Sequence, residues 1–261
     1  MEALRALTAD PSRAALFFDV DGTLSPIVER AQDATVPKET SLLLARLSRR
    51  YARVACVSGR AAADVRRLVG VGGIAYSGLH GAELLEPERK EARVMPDFAR
   101  FVSEVHGFAG ERDTPELRAL RVRIEDKGPI VSFHWRGAPD EEAAHARVKR
   151  IASEAVSEGL WTHWGRKVLE VRPPVPIGKD RAIRELLEGS PVRVALYAGD
   201  DLTDLDAFAA LADKVQSGEL DDAVTVGVTS DEGPPEIAEQ ARIAVDGVAG
   251  MQQVLAELDS S

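Results

Sequence analysis

Two aspartates one residue apart follow an apolar run near the start of the chain, in LFFDVDGTLSPI, residues 16–27. Side chains two apart on a strand point the same way, so Asp19 and Asp21 share a side unless the strand ends between them. Two carboxylates about 4 Å apart repel by roughly 4 kcal/mol at an effective dielectric of 20. A strand end, a bound cation or a shared proton would relieve this repulsion. An Asp-Gly turn after a buried strand fits the same residues, so both interpretations stay open here.

Three apolar runs of the sequence are each followed by a group of polar residues, and a lysine begins a later helical pattern. These groups are Asp19 to Thr23, Ser58 to Arg60, Gly199 to Asp204, and Lys179. Ligands of open parallel sheets bind beyond the carboxyl ends of the strands, so we expect the groups to gather at one rim. Lys179 alone does not balance the carboxylates that meet there, which are Asp19, Asp21, Asp200 and Asp204.

This excess of carboxylates favours a cation at the rim. Oxygen ligands suit Mg²⁺, which keeps several waters and also contacts substrate phosphate. Zinc is disfavoured because the sequence has no cluster of cysteines or histidines. A hydroxyl of Thr23 or Ser58, backbone N–H groups after Asp19 and the ammonium of Lys179 could then hold three phosphate oxygens.

The elements that must position these groups alternate between strand and helix. Strand patterns cover 14–20, 52–59 and 72–81, with helical patterns between them, and the alternation resumes with a helix from Lys179. This order predicts an α/β protein with a doubly wound, mostly parallel sheet. The segment around Glu232 is predicted to be a loop without chemistry.

The pattern changes between about Met95 and Val175, where strands with one wet face join amphipathic helices. We therefore predict a core of residues 1–95 and 176–261, interrupted by an inserted α+β cap domain of residues 96–175. Trp135, Trp161 and Trp164 are expected to pack within the cap, although a tryptophan face can also stack on a sugar ring.

Composition narrows the class of protein. The 261 residues are 44% hydrophobic and 29% charged, with a net charge of −10, which disfavours nucleic acid as a partner. No apolar run approaches the ~18 residues that span a bilayer, and the first residues lack the pattern of a signal peptide. The expectation is a cytoplasmic protein, a monomer or weak oligomer, with a small-molecule ligand and no membrane partner.

The motifs DVDGT, SGR, Lys179 and GDDLTD, in that order, resemble the four motifs of the haloacid dehalogenase superfamily. The resemblance implies a Rossmannoid core and a phosphatase in which Asp19 is the nucleophile and forms an aspartyl-phosphate. It implies that Asp21 protonates the leaving oxygen and then activates water. Thr23 and Ser58 would bind the phosphoryl oxygens.

The same resemblance implies the metal ligands. Mg²⁺ would be held by Asp19, by Asp200 and by the backbone carbonyl of Asp21, whose carboxylate stays free for proton transfer. Asp204 is assigned to the metal site as well, where it would orient the metal shell or Lys179. Lys179 itself would neutralise the charge of the nucleophile and of the phosphate.

Within the superfamily, GLHGAE, the pattern E-x-K-x6-H-x-R, KVLEVRP and GDDLTDLDAF resemble trehalose-6-phosphate phosphatases of trehalose biosynthesis. Leu205 departs from that pattern, because the family commonly has an acidic residue there. The resemblance implies substrate contacts from Gly59, Arg60, His80, Glu125, Lys127, Arg136 and Glu170. The alternative for Glu125 and Lys127 is a solvated ion pair on an exposed strand.

Other functions stay open at this point. Phosphatases of sucrose phosphate or mannosylglycerate phosphate share the core motifs, and a phosphomutase is a further rival. A non-catalytic sugar-phosphate sensor, or a regulatory subunit of a trehalose-synthesis complex, would be marked by loss of Asp19 or Asp21. Both residues are present, which favours an enzyme.

Overall fold

The computed structural model describes residues 2–28, 31–231 and 233–260; Glu232, predicted to lie in a loop, is outside them. The helices in the described residues are α1 (Arg5–Ala9), α2 (Lys38–Leu47), α3 (Ala62–Val69), α4 (Pro96–Ala99), α5 (Val102–Arg112), α6 (Pro115–Ala119), α7 (Glu141–Ser157), α8 (Lys179–Leu187), α9 (Asp204–Gln216), α10 (Pro235–Gln240) and α11 (Gly247–Ser260). The strands are β1 (Ala14–Phe18), β2 (Arg53–Val57), β3 (Ala75–Gly78), β4 (Glu83–Leu85), β5 (Arg93–Val94), β6 (Arg123–Asp126), β7 (Val131–His134), β8 (Trp161–Gly165), β9 (Val168–Arg172), β10 (Val194–Gly199), β11 (Asp222–Thr229) and β12 (Ile243–Asp246). Among the described residues, no helix is long and apolar enough to cross a membrane.

The larger sheet has eight strands in the order β12-β11-β10-β1-β2-β3-β4-β5. Its strands from β12 to β3 pair in parallel, and β4 pairs antiparallel with β3. The prediction of a mostly parallel α/β sheet is confirmed. The sequence did not reveal β4, because this strand follows β3 through a short turn rather than through a helical crossover.

Apolar residues cover the central strands on both faces, as a parallel sheet between two helical layers requires. All five residues of β1 are buried. Leu16 and Phe18 belong to one core cluster with residues of α2, α3 and α11. On β10, the ring of Tyr197 meets Phe208 of α9 edge-on, with 6.0 Å between the ring centroids.

Strand β1 ends at Phe18, two residues earlier than the pattern over 14–20 indicates. The backbone N–H of Asp19 still donates to the carbonyl of Ala198, at 2.8 Å. The chain then turns, and Asp21 forms an isolated parallel bridge with Ser25. Asp19 and Asp21 therefore do not lie on one continuous strand, whose geometry would point both side chains the same way.

Contacts divide the chain into two units. The core unit is Met1–Arg93 with Ile177–Ser261, and the inserted unit is Val94–Pro176. A four-stranded sheet in the order β6-β7-β9-β8 forms the inserted unit, and all its pairs are antiparallel. Its apolar face includes the fully buried Phe133, Leu169 and Val171, which pack with α5 and α7. Strand β8 was not predicted from the sequence.

Candidate active site

A buried lysine lies between two buried aspartates at the carboxyl ends of β1 and β10. Lys179, the first residue of α8, is 3% exposed. Its Nζ donates to Asp19 Oδ1 at 2.6 Å and to Asp204 Oδ1 at 2.5 Å. One ammonium group thus joins Asp19 and Asp204, which lie 160 and 25 positions from Lys179 in the sequence.

Asp204 is fully buried and accepts four hydrogen bonds. Besides Lys179, the hydroxyl of Tyr197 donates to Oδ1 at 2.6 Å. The backbone N–H groups of Asp200 and Asp201 both donate to Oδ2, at 3.0 Å. With these donors, the carboxylate of Asp204 holds the loop after β10 in place and orients Lys179. Tyr197 was missed by the sequence analysis because a tyrosine within an apolar strand carries no motif.

Asp200 faces the turn after β1. The buried hydroxyl of Thr23 donates to Asp200 Oδ1 at 3.1 Å. Gly22 has a φ of +91°, and a Cβ there would lie 1.9 Å from Asp200 Oδ2. A side chain at position 22 is therefore excluded both by backbone conformation and by the carboxylate.

Burial and crowding of like charge set the ionisation of this cluster. Burial raises the pKa of Asp19; the charge of Lys179 opposes this shift, and the charges of Asp204 and Asp200 add to it. Burial and then the charge of Asp204 raise the pKa of Asp200 to about 6. Burial alone would lower the pKa of Lys179, but the charges of Asp19 and Asp204 outweigh it and raise that pKa. The ammonium is therefore charged at neutral pH, whereas Asp19 and Asp200 favour a proton or another cation.

Asp21 has a cationic partner of its own. Arg60 forms a two-pronged ion pair with it, from Nε to Oδ2 at 2.7 Å and from Nη2 to Oδ1 at 2.6 Å. The side chain of Asp21 is 39% exposed, so it is accessible from solvent. The rim therefore has a second cation, Arg60, whereas the prediction counted Lys179 alone.

The Ser58–Arg60 loop is tied to a strained turn after β3. The backbone N–H of His80 donates to the carbonyl of Ser58 at 3.0 Å, and that of Gly178 donates to the carbonyl of His80 at 3.2 Å. Leu79 and His80 have φ values of +51° and +53°, a conformation that side chains rarely adopt and that clusters at functional sites. The imidazole of His80 covers Gly59, where a Cβ would lie 2.5 Å from Nε2.

The acidic cluster fits a hard cation. Carboxylate oxygens of Asp19, Asp200 and Asp204 all lie within 4.8 Å of one another, and all three residues are buried. An all-oxygen donor set suits Mg²⁺ or a similar hard ion. A bound cation would favour the ionised forms of Asp19 and Asp200 and so lower their raised pKa values.

The inserted unit carries a second charged network on the polar face of its sheet. Lys127 Nζ donates to Glu170 Oε1 at 3.2 Å and lies 3.8 Å from Glu125 Oε2. Glu125 Oε2 also lies 2.7 Å from His134 Nε2. Arg172, which the sequence analysis missed, donates from Nε to Glu170 Oε2 at 3.1 Å.

Burial alone would raise the pKa of Glu170, but hydrogen bonds from Arg172 and Lys127 lower it. Glu170 is therefore an ionised acceptor at neutral pH. Arg136 is placed elsewhere: its Nη2 donates to the backbone carbonyl of Arg166 at 3.1 Å. The structure thus joins Glu125, Lys127 and Glu170 directly and does not join Arg136 to them.

The sequence of this chain is similar to those of known proteins. The family model described as trehalose-phosphatase matches residues 17–246. A trehalose-phosphate phosphatase of Mycobacterium marinum is 33% identical over 244 residues, which cover 87% of this chain and 60% of the relative. One from Mycobacterium avium is 37% identical over 207 residues, covering 76% and 51%. The chain therefore spans about half to three fifths of the length of these relatives.

A solved structure titled trehalose-6-phosphate phosphatase related protein superimposes with a TM-score of 0.70 at 24% identity. The match covers 94% of this chain and 97% of that structure. At this identity the likeness supports the fold.

Proposed function

Because the chain belongs to the trehalose-phosphatase family, we propose that it hydrolyses trehalose 6-phosphate to trehalose and inorganic phosphate with the aid of Mg²⁺. The observation that carries this proposal is the buried ammonium of Lys179, held between Asp19 and Asp204 at 2.6 and 2.5 Å. This arrangement presents a carboxylate and a cation together, which suits a phosphoryl group under attack.

In the first step, a carboxylate oxygen of Asp19 attacks phosphorus, and the bond between phosphorus and the sugar oxygen breaks. Asp21, when protonated, gives its proton to the leaving oxygen, so trehalose departs neutral and an aspartyl-phosphate remains. Arg60 orients the Asp21 carboxyl through its two hydrogen bonds. The ammonium of Lys179 and the hydroxyls of Thr23 and Ser58 receive the phosphoryl oxygens.

In the second step, Asp21 takes a proton from water as the water oxygen attacks phosphorus. The bond from phosphorus to the Asp19 oxygen breaks, which releases phosphate and restores both carboxyl groups to their starting states. Two displacements at phosphorus replace one difficult step by two easier ones.

The residues proposed to hold Mg²⁺ are Asp19, Asp200 and the backbone carbonyl of Asp21. When bound, Mg²⁺ supplies positive charge for the phosphoryl oxygens and for the carboxylates. Asp204 is proposed to orient this site rather than to ligate the metal, because its four acceptor positions are already used.

We expect the Mg²⁺ requirement to depend on pH. Removal of divalent cations with EDTA should abolish phosphate release. The pKa of Asp200 is about 6, so a metal must displace a proton there at lower pH. The Mg²⁺ concentration for half-maximal activity, measured between about pH 5 and about pH 8, should rise as pH falls through about 6.

The stability of the metal-free protein should also depend on pH. Without metal, the pKa of Asp200 lies above its ordinary value of 3.8, so the folded protein binds this proton more tightly than the unfolded chain. The EDTA-treated protein should therefore lose stability as pH rises from about 4 to about 6, and Mg²⁺ should restore it. Asp200→Asn is the control that weakens both effects. A half-saturation that is independent of pH would contradict this assignment.

The inserted unit is proposed to select the sugar. The carboxylates of Glu125 and Glu170 can accept from sugar hydroxyls, and the ammonium of Lys127 can donate to them. The test of function is phosphate release from trehalose 6-phosphate, sucrose phosphate, mannosylglycerate phosphate and glucose 6-phosphate. A clear preference for trehalose 6-phosphate supports the proposal. Equal rates with glucose 6-phosphate would overturn the substrate, and no release from any of them would favour a sensor.

Lys127→Ala is expected to lower kcat/KM for trehalose 6-phosphate by about 10-fold to 100-fold, since a hydrogen bond from a charged group contributes roughly 1.5–3 kcal/mol. Activity towards glucose 6-phosphate should change less. Lys149→Ala, at an exposed position of α7, is the matched control and should leave both rates unchanged. Unchanged selectivity with a lower melting temperature would mean that Lys127 serves only as a structural ion pair.

A further inference from the structure

Strand β8 carries two tryptophans on opposite faces of the inserted sheet. Trp161 lies opposite Arg172 in the register with β9, and Trp164 lies opposite Leu169. Because successive side chains of a strand alternate, Trp161 shares its face with Arg172 and Glu170, and Trp164 shares the apolar face with Leu169. Trp161 and Trp164 therefore have different surroundings, although both were expected to pack within the inserted unit.

Ring contacts hold Trp164, although it is 42% exposed. Its ring meets Trp135 edge-on at 5.9 Å between centroids and His145 of α7 at 5.7 Å. Trp161 has a similar exposed fraction, 48%, but none of the aromatic ring contacts within the described residues includes it. Ring packing therefore does not account for the position of Trp161 on the polar face.

The neighbours of Trp161 are suited to a sugar. Arg172, opposite it in register, bonds to Glu170, which also accepts from Lys127. His163, two residues along β8, lies opposite Glu170 and is exposed. Charged and polar groups thus flank a single aromatic ring. A protein interface would instead present a contiguous apolar patch, whereas a pyranose offers hydroxyls at its edge and an apolar face for stacking.

We propose that Trp161 stacks on the unphosphorylated sugar ring of the disaccharide phosphate and is a specificity-determining residue. From Glu125 on β6 to Trp161 on β8 the polar face spans three strand spacings, about 14 Å at about 4.8 Å each. This width leaves room for a hexose ring to stack on Trp161 while hydroxyls of the same ring reach Glu170 and Lys127. The inference rests on the proposed function, because it assigns a second sugar contact to the same substrate.

The experiment compares Trp161→Ala, Trp161→Phe and Trp164→Ala with the unmodified protein. Trp161→Ala should lower kcat/KM for trehalose 6-phosphate by about 3-fold to 10-fold through KM, the range for an aromatic stacking contact. Its activity towards glucose 6-phosphate, which lacks the second ring, should not change. Trp161→Phe should recover most of the loss. Trp164→Ala should lower the melting temperature and leave the ratio of the two activities unchanged.

Intrinsic fluorescence gives a readout that does not need turnover. Titration with trehalose should change tryptophan emission in Trp164→Phe but not in Trp161→Phe. An unaltered activity ratio in Trp161→Ala, or a trehalose response that survives in Trp161→Phe, would overturn the inference. If the unmodified protein itself shows no preference over glucose 6-phosphate, the proposed function fails instead, and the fluorescence titration still decides whether Trp161 contacts a sugar.

Discussion

Asp19→Asn is expected to lower kcat for phosphate release by at least about 10⁴-fold, the order of loss when an enzyme loses its nucleophile. The amide keeps the size of the side chain and an oxygen that can accept from Lys179, but its nitrogen and oxygen cannot attack phosphorus as a carboxylate does. The measurement is steady-state turnover together with acid-quench trapping of a phosphorylated protein from radiolabelled substrate. The unmodified protein should give a labelled intermediate and the variant none.

Asp201→Asn is the matched control, because it makes the same chemical change in the loop after β10 at an exposed position. Asp201 Oδ1 accepts from the backbone N–H of Leu202 at 2.6 Å, a role that an asparagine oxygen can keep. Turnover of this control should stay within a few-fold of the unmodified protein. Turnover or labelling retained in Asp19→Asn would reject Asp19 as the nucleophile and the two-step mechanism with it.

Lys179→Met should lose both activity and stability. The change leaves Asp19 and Asp204, which are 5% and 0% exposed, without the ammonium that joins them. Removing one partner of a buried ion pair costs about 3–5 kcal/mol. Urea unfolding in EDTA at neutral pH should show a loss of that order in the free energy of unfolding, and kcat should fall by about 10³-fold or more because the phosphoryl charge loses a fixed cation.

Arg184→Ala on the same helix is the control for stability. Its side chain is 47% exposed and its guanidinium pairs with Asp213 at 2.8 Å. Exposed pairs contribute only about 0–1 kcal/mol. The double variant Lys179→Met with Asp204→Asn should recover part of the lost stability, since it removes one of the two buried carboxylates that have lost their cation. Equal stability of Lys179→Met and Arg184→Ala would show that the buried charges are compensated in another way.

The sheet and the residues at its rim were predictable because their signals are local. An apolar run followed by Asp19, another followed by Ser58 and a helix opened by Lys179 each stand within about ten residues of sequence. The alternation of strand and helix then places all of these ends at one edge, since right-handed crossovers make the strands parallel. The family resemblance follows from the same short motifs, and the family comparison confirms it.

Strand β8 was not predictable by the same means. A half-buried strand is recognised by apolar residues two apart, but Trp161 and Trp164 are three apart and lie on opposite faces. Their spacing therefore does not fit a one-sided strand and is instead compatible with one face of a helix. Only pairing with β9 places Trp164 on the apolar face of the inserted sheet and Trp161 on the polar face.

The sequence by itself determined the fold class and the residue types available at the rim. Tertiary structure alone decided which charges meet: Lys179 joins Asp19 to Asp204, and Arg60 takes Asp21. The reason is physical. Strand and helix patterns depend on neighbours along the chain. The partner of a buried charge depends instead on side-chain directions from distant elements, such as Asp19 and Lys179, which are 160 positions apart and come within 3 Å only after the sheet has formed.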